Sequence, residues 1–354
     1  MRWHTHDVYV AATGTCLPGE VTVADAIASG RYTQAEAERS GQLAATVALD
    51  GQGAPDLAVA AARQALERAG YEPSDVAVLL HAVLFHAGLD VWNSTAYIHR
   101  ELGISDARTF ISEVRNGCNG LGSVDLAARW LVAEGERRIA VITAADCFPD
   151  PFIDRWGSPG IVFGDGGTAI VVTRDRRRAF ARILSTYTIT ESALEPLHRG
   201  DDPFGPGQFP IDLSRRFKAF RDRTGPEESG RVMGRREKGM IDVVQGAVAD
   251  AGLTLADIDH FAYSFISRRQ LAKELLEPLD LDIGRTTWEY GRRTGHMGNS
   301  DTFAGLNYLA ESGRLAERQK ILLIGAGGGY AWTAAVLDVI DCPSWAVGSR
   351  AGKA

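Results

Sequence analysis

The thiol of Cys118 is the side chain of this sequence most suited to nucleophilic chemistry. It lies in the run RNGCNG, after a β-rich stretch and directly before a helical pattern. A position near a helix N-terminus favours the thiolate, and the two glycines leave room for a substrate carbonyl. A lone cysteine is more often an inert buried residue, but the strand–turn–helix setting favours a nucleophile. We therefore predict that Cys118 is a nucleophile.

Chemistry at Cys118 needs a base, and an internal repeat indicates where that base lies. Gly70 matches Gly252 and Asp75 matches Asp257, and both pairs are 182 residues apart. The alternative is that alanine-rich α/β proteins repeat helix–turn–strand phrases by chance. We interpret the shared offset as the duplication of one fold within the chain.

The same offset carries Cys118 onto Ser300, which stands in a second glycine-rich turn before a second helix. In a doubled fold the two turns face each other, which brings His296, Asn299 and Asp301 near the thiol. Imidazole is the usual base for activating a nucleophile near neutral pH, so His296 is the predicted base. Asp301 either orients that imidazole or caps the helix, and the sequence leaves both alternatives open.

The glycine-rich run GAGGGYAW, from Gly325, superficially resembles a phosphate-binding loop. It leads into an apolar strand rather than a helix, which argues against dinucleotide binding. Its backbone N–H groups are better suited to a developing oxyanion. The run FGDGGTA around Asp165 is expected to form a structural turn beneath the site. His198 lies in the middle of the chain, and we expect it to face the substrate.

These residues must be positioned by alternating strands and helices. An amphipathic helix near 57–68 and an apolar strand near 76–83 begin this pattern, which predicts βα crossovers and largely parallel sheets. We place the first half at 1–178 and the second half at 179–354. Residues 179–237 are rich in glycine, proline and charge, and they predict an irregular segment that covers the substrate.

Composition argues against several other classes of protein. With 354 residues and a net charge of -7, the chain lacks the basic footprint of a nucleic-acid-binding protein. No apolar run is long enough to span a membrane, and the first residues do not resemble a signal peptide. The four cysteines and eight histidines show no metal-ligand spacing, so we expect no metal and no other cofactor. These features predict a cytoplasmic protein.

The assembled motifs resemble the ketoacyl-carrier-protein synthase III branch of the thiolase superfamily over nearly the whole chain. The marks of the resemblance are the turn from Asn116 to Gly120, the run VFGDGGTA, the phrase VMGRREKG and the closing GAGGGYAW. The resemblance implies a thiolase fold, with two duplicated α/β halves in a five-layered αβαβα core, and a homodimer. It also implies oxyanion donors at the N–H groups of Cys118 and Gly328. The implied acyl donor is acyl-coenzyme A or an acyl carrier protein.

Two departures from that family change the predicted chemistry. The family's histidine, in a phrase resembling PHQAN, is replaced by Phe265 or Ile266, and the position of its asparagine falls on His296. The altered set of Cys118, His296 and Asp301 resembles the acyltransferase offshoots of this branch in actinobacterial polyketide pathways. These include the type that esterifies a sugar hydroxyl with a malonyl group in cervimycin biosynthesis.

The sequence thus predicts an acyltransferase of polyketide or secondary-metabolite biosynthesis. A malonyl-type or short acyl group would pass through Cys118 to a hydroxyl acceptor, such as a glycosylated polyketide, by a ping-pong route. We expect His198, Asn299 and Phe265 to contact the substrates. One alternative is a decarboxylative condensing enzyme that selects a starter unit, against which the missing histidine argues. The other is a silent subunit that only binds an acyl carrier protein, against which the retained cysteine argues.

Overall fold

The structure, a computed structural model, describes residues 1–3, 6–84, 87–89, 91–134, 139–158, 160–204, 210–328 and 330–346. The strands are β1 (Tyr9–Cys16), β2 (Gly19–Thr22), β3 (Ala44–Val47), β4 (Val76–Ala82), β5 (Phe110–Val114), β6 (Ile139–Asp146), β7 (Gly166–Thr173), β8 (Ala181–Thr190), β9 (His260–Ala262), β10 (Lys320–Gly327) and β11 (Ala331–Val339). The helices are α1 (Val23–Ala28), α2 (Gln34–Ser40), α3 (Ala54–Ala69), α4 (Ser94–Glu101), α5 (Gly122–Glu134), α6 (Glu195–Arg199), α7 (Leu213–Asp250), α8 (Arg268–Leu271), α9 (Glu277–Leu279), α10 (Trp288–Thr294) and α11 (Asp301–Glu311). No helix in these ranges has both the length and the apolar character of a membrane span.

Nine of the described strands form one mixed sheet, in the order β5-β4-β6-β7-β1-β8-β11-β10-β9. Of the neighbouring pairs among these strands, β4–β5, β4–β6 and β9–β10 are parallel and the other five are antiparallel. The prediction of largely parallel sheets is therefore wrong. β6 leads to β7, and β10 to β11, without an intervening α-helix, so these neighbours run in opposite directions.

The strand order repeats on either side of the contact between β1 and β8. Read outward from that contact, β1-β7-β6-β4 in the first arm is matched by β8-β11-β10-β9 in the second arm. In the part of the chain that the structure describes, β1 and β8 pair at two positions, Tyr9 with Arg182 and Val10 with Ala181. This repeated order is what a duplicated fold produces, while the boundary between residues 178 and 179 stays a prediction.

Three hydrophobic clusters follow the faces of the two arms and divide the molecule into five layers. Successive residues of β4 and β10 point to opposite faces. Leu80 and Leu323 face inward onto α5 and α11, which lie between the arms. Leu79 faces α3 outside the first arm, and Leu322 faces α7 outside the second. The order helix, sheet, helix, sheet, helix confirms the predicted αβαβα core.

The helix predicted near 57–68 is α3, and its ends follow from local chemistry. The N–H of Gly53 donates to the carboxylate of Asp56 at 3.0 Å, and a proline follows at the first turn. At the other end Gly70 adopts the left-handed conformation, with φ of 64°, and stops the helix.

The prediction of an irregular segment at 179–237 is wrong. Residues 181–190 form β8, which pairs with both β1 and β11 in the middle of the sheet. Much of the remainder belongs to α7, which is interrupted at Gly225 (φ 75°, ψ 172°) just before Pro226. In β8, serine and threonine stand among the apolar residues, which weakens the strand pattern. In α7, the Gly-Pro pair interrupts the helical periodicity. Both segments therefore look like loops in the sequence.

Candidate active site

Cys118 lies in a tight turn between β5, which ends at Val114, and α5, which begins at Gly122. The turn is closed by hydrogen bonds from the N–H of Asn119 to the carbonyl of Asn116 (3.2 Å) and from the N–H of Gly122 to the carbonyl of Asn119 (3.3 Å). The thiol is free and half-buried. The helix predicted from Gly122 to Ala133 is confirmed as α5, and Cys118 precedes its first residue by four positions. The dipole effect weakens with distance from the first helical turn, so the thiolate depends more on a neighbouring cation.

The turn that carries Cys118 packs backbone to backbone against the glycine run between β10 and β11. Gly117 has φ of 57°, and a Cβ placed on it would lie 2.3 Å from the nitrogen of Gly328. A Cβ placed on Gly327 would lie 2.0 Å from the carbonyl oxygen of Asn116. Only glycine fits at these two positions. The contact brings the peptide nitrogens of Cys118 and Gly328, which are the predicted oxyanion donors, close together.

His296 reaches the thiol from the turn that precedes α11. Its Nε2 lies 3.3 Å from the Sγ of Cys118. The backbone N–H of His296 donates to the carbonyl of Val162 at 2.8 Å, and its carbonyl accepts from the N–H of Gly164 at 3.0 Å. The buried ring lies 5.8 Å from the ring of Phe163, centroid to centroid. The run VFGDGG therefore holds the predicted base in place.

Asp301 is buried at the start of α11 and binds the far side of the His296 ring. Its Oδ2 lies 2.5 Å from His296 Nδ1 and accepts a second hydrogen bond from the backbone N–H of Phe265, at 2.7 Å. Its Oδ1 accepts from the N–H of Met297, also at 2.7 Å. None of these described bonds goes to an N–H of the helix, so the geometry favours orientation of the imidazole over capping. The structure thus brings Cys118, His296 and Asp301 into one line of contacts.

The surroundings of His296 favour its charged form. Burial by itself lowers the pKa of the imidazole, but the charges of Asp301 and Cys118, and the hydrogen bonds to both, outweigh burial. They hold the pKa of His296 well above its usual value, so the ring is protonated at neutral pH. An imidazolium at this distance stabilises negative charge on the sulfur, which is how a cysteine nucleophile is activated.

A buried ion pair supports the loop that holds the base. Arg155 lies 2.9 Å from the carboxylate of Asp165 and donates to the carbonyl of Phe163, also at 2.9 Å. Asp165 accepts from the backbone N–H groups of Ala48 and Phe148, both at 2.8 Å. Both oxygens of the Asp165 carboxylate are therefore occupied by contacts within the protein. The structural role predicted for the turn around Asp165 agrees with these contacts.

Asn299 and Phe265, two of the residues predicted to contact substrate, are both buried. Asn299 donates to Asp146 Oδ2 twice, from its backbone N–H at 3.0 Å and from its side-chain amide at 3.3 Å. The ring of Phe265 packs edge-on against Tyr290, with centroids 5.7 Å apart. These contacts stabilise the turn before α11 and the segment that packs against Asp301. Contact with substrate stays a prediction for both residues.

The third predicted contact residue, His198, lies directly beside the glycine run. A Cβ placed on Gly328 would come within 2.5 Å of His198 Nδ1. Sequence reasoning placed His198 in a covering segment but contained no signal for this contact. It also missed the backbone bond from Phe265 to Asp301, since a main-chain donor leaves no mark on residue type.

A recess of about 420 Å³ opens beside the segments that hold His296 and Asp301. Gly160 and Ile161 on its wall adjoin the Val162–Gly164 segment, and Ser267 follows shortly after Phe265. Its polar and aromatic lining includes Tyr32, Arg39, Trp156, Arg269 and Gln270. The recess was not predicted, and the polar run SRRQ after Phe265 is the sequence signal that could have indicated it.

The two-armed sheet around a central helix pair, with a cysteine in a glycine-flanked turn, defines a thiolase-like enzyme fold. A family model described as 3-oxoacyl-[acyl-carrier-protein (ACP)] synthase III C terminal matches residues 248–339. The solved structure of ChlB3, described as an acyltransferase, is 34% identical with a TM-score of 0.90, and the match covers 96% of this chain and 100% of ChlB3. The chain therefore belongs to the ketoacyl-carrier-protein synthase III-like family of the thiolase superfamily.

Two further comparisons agree with this family. A β-ketoacyl-[acyl-carrier-protein] synthase III from Rhodospirillum centenum is 29% identical over 309 residues, covering 85% of this chain and 88% of that protein. The structure of a 3-oxoacyl-[acyl-carrier-protein] synthase III from Aquifex aeolicus has a TM-score of 0.76 and 19% identity, covering 94% of this chain and 99% of that one. At that identity the second likeness bears on the fold alone.

Proposed function

We propose that this chain is an acyltransferase that moves an acyl group from a carrier thioester, through Cys118, to a hydroxyl acceptor. The observation that carries the proposal is the line of contacts from Cys118 Sγ to His296 (3.3 Å) and from His296 to Asp301 (2.5 Å). A thiolate, a proton carrier and an orienting carboxylate are sufficient for acyl transfer. The likeness to ChlB3, whose description is that of an acyltransferase, supports the same reaction class.

In the first half-reaction the Cys118 thiolate attacks the carbonyl carbon of the donor thioester. A new S–C bond forms, and the carbonyl oxygen takes up negative charge between the N–H groups of Cys118 and Gly328. The intermediate collapses, and the C–S bond to the carrier breaks. The departing carrier sulfur takes the proton of the His296 imidazolium, which leaves an acyl-enzyme and a neutral imidazole.

In the second half-reaction the neutral His296 removes the proton of an acceptor hydroxyl. The acceptor oxygen attacks the acyl carbon, the same two N–H groups receive the oxyanion, and the C–S bond to Cys118 breaks. The ester leaves with the acyl group, and the enzyme returns to the thiolate–imidazolium pair. Asp301 accepts from Nδ1 of His296 and stabilises the charged ring in the resting enzyme.

The donor we propose is acyl-coenzyme A or an acyl carrier protein. The names of the related synthases include an acyl carrier protein, and the recess lined by Ile161 and Ser267 carries Arg39 and Arg269, which suit an anionic carrier arm. The acyl group is malonyl-type or short. The acceptor is an alcohol of polyketide or secondary metabolism, with cervimycin-type esterification of a sugar hydroxyl as the nearest model.

The active unit we propose is a homodimer. β5 is the last strand of the described sheet on the first arm, and its Phe110 is 52% exposed. A second copy that pairs with this edge would cover both the strand and the aromatic side chain.

The second candidate is decarboxylative condensation, which the names of the curated synthases favour. Loss of carbon dioxide from a malonyl unit places negative charge on the thioester oxygen, and the enzyme must stabilise that enolate. At the position of the family's histidine this chain has Phe265 or Ile266, whose side chains donate nothing. Removing one such donor typically costs about 3 to 4 kcal/mol of transition-state stabilisation, which makes condensation the weaker proposal.

The deciding experiment follows the free carboxyl of the donor. The enzyme is supplied with malonyl thioester labelled at that carboxyl, together with an alcohol acceptor. Label retained in an ester product is the expected result, and Cys118→Ala is the control that should make no product. Release of the label as carbon dioxide in step with turnover would make the condensing enzyme the better reading.

A further inference from the structure

His198 is a histidine of the site that the proposed reaction does not use. It lies in α6, half-buried, with its ring against Gly328 on the glycine run. The rings of Tyr330 and Phe217 meet it edge-on, at centroid distances of 5.1 Å and 5.3 Å. Gly328 in turn touches Gly117, the neighbour of Cys118, so the imidazole is two contacts away from the nucleophile's turn.

The ring of His198 is held neutral. Burial, together with the nearby cations Arg236 and Arg216, lowers its pKa to about 4. Arg236 is itself paired with Glu274, which also accepts from the hydroxyl of Tyr263 at 3.0 Å. A neutral imidazole has one nitrogen that accepts a hydrogen bond and one that donates. Among the described side chains, none hydrogen-bonds to the ring nitrogens of His198, whereas Arg216 reaches only its backbone carbonyl.

A half-buried ring without a protein partner, next to an oxyanion donor, is suited to a bound molecule. We propose that His198 binds the acceptor, by accepting a hydrogen bond from one of its hydroxyl groups while His296 takes the reacting proton. This inference rests on the proposed acyl transfer to an alcohol. Tyr330, whose phenol is held un-ionised by burial, packs edge-on against the same ring, so the uncharged surface here suits an uncharged hydroxyl compound such as a sugar.

The position of His198 favours the acceptor over the donor. The recess assigned to the carrier arm is lined by Gly160, Ile161 and Ser267, and His198 is not part of its lining. His198 instead approaches through α6 and the glycine run, on the side of Gly328. An acceptor that enters past His198 would reach the acyl carbon without crossing the place of the departing carrier.

The test measures the two half-reactions separately in the full-length enzyme. Loading of Cys118 from malonyl N-acetylcysteamine thioester is followed by intact mass, and transfer is followed with methyl glucoside as acceptor. His198→Ala should load within about twofold of wild type and show a three- to tenfold higher KM for the acceptor, as expected for about one lost hydrogen bond. His198→Gln, which keeps an acceptor atom, should recover most of that loss. His260→Ala, on a histidine that contacts Gln319 away from the site, is the matched control and should change neither step.

Each remaining outcome has a defined meaning. If loading falls by the same factor as transfer in both His198 variants, the ring only supports the glycine run and the inference is overturned. Unchanged transfer in both variants overturns it as well. Failure of the wild-type enzyme to transfer to any alcohol, after loading normally, would overturn the proposed function itself and is recognised without reference to the variants.

Discussion

The backbone N–H of Phe265 donates a hydrogen bond to the carboxylate of Asp301, at 2.7 Å. Phe265 or Ile266 stands where the family resemblance places a histidine side chain, yet here the segment contributes to the site through its main chain. With the bond from Met297 N–H, also 2.7 Å, it fixes the carboxylate against Nδ1 of His296. The charge state of the base therefore depends on Asp301.

Asp301→Asn should lower turnover by about two to four powers of ten. Asparagine keeps the shape of the carboxylate but removes the charge that opposes burial, so His296 loses its proton at lower pH. Loading of Cys118 by the wild type should fall only as pH rises through the raised pKa of His296, and in the variant that fall should begin at lower pH. Asp257→Asn, in a surface turn capped by Thr254, is the control. A flat profile at wild-type rate in Asp301→Asn would contradict the assigned role.

Cys118→Ala should abolish acyl loading from acetyl, propionyl or malonyl thioesters. Wild-type enzyme should gain the mass of one acyl group. Burial raises the pKa of the Cys147 and Cys16 thiols, which makes both poor nucleophiles at neutral pH. Cys342→Ala, at an exposed thiol, should still load one group. An acyl mass that persists in Cys118→Ala would show that the nucleophile is another residue.

His296→Ala should impair both half-reactions. The thiolate loses its imidazolium partner, and α5 begins four residues after Cys118, at Gly122, so its dipole replaces little of that charge. Transfer loses its base as well, and turnover should fall by about two to four powers of ten. His99→Ala, in the last turn of α4, is the control. Rapid-quench measurement of loading and transfer separates the steps, and full turnover in His296→Ala would be incompatible with the mechanism.

Gly117→Ala should lower turnover by about two to three powers of ten, the range for loss of one oxyanion donor. The added methyl group would press on the nitrogen of Gly328, which a Cβ would approach to 2.3 Å. Gly103→Ala is a matched control, because Gly103 also has positive φ, 72°, but a Cβ there meets nothing within 4 Å. Both variants carry the same backbone strain, so only the first should lose activity. Equal activities would argue against an oxyanion hole at this contact.

His81 should make the protein acid-sensitive. Burial lowers its pKa to about 4, and its Nδ1 lies 2.9 Å from the hydroxyl of Thr143. Between that value and the unfolded value near 6.5, the unfolded chain binds a proton that the folded chain excludes, so stability falls as pH falls. The loss from pH 7.5 to pH 5 should be about 2 kcal/mol. Urea unfolding of wild type and His81→Met at both pH values gives the comparison, and an equal loss in the two proteins would point to other groups.

Much of the fold could be predicted because burial imposes periodicity on the sequence. The apolar face of α3 and the continuous apolar run of β4 are buried on the sides that their patterns indicate. Strand direction could not be predicted in the same way, since alternation is identical in parallel and antiparallel pairs. β8 could not be recognised from the sequence because serine and threonine stand among its apolar residues. α7 could not be recognised because Gly225 and Pro226 interrupt its helical pattern.

The candidate site was predictable where side chains carry the chemistry. Cys118, His296 and Asp301 lie in two glycine-rich turns that a shared sequence offset places opposite each other. The contact of His198 with Gly328 was not predictable, because α6 comes against the glycine run only through the tertiary path of the chain. The site's dependence on the main chain of Phe265 was equally hidden.

Ser300 occupies the position in the second turn that corresponds to Cys118 in the first, and its hydroxyl donates to the carbonyl of Ala144 at 2.8 Å. The two turns therefore differ in use: one carries the proposed nucleophile, and the other carries the proposed base and packs against the first arm. The hydroxyl of Ser300 is fully buried and turned towards the first arm. Replacing the Ser300 hydroxyl with a thiol would therefore not create a second reactive centre. The two turns differ because the side chain at Ser300 is enclosed by packing, whereas the thiol of Cys118 is half-buried.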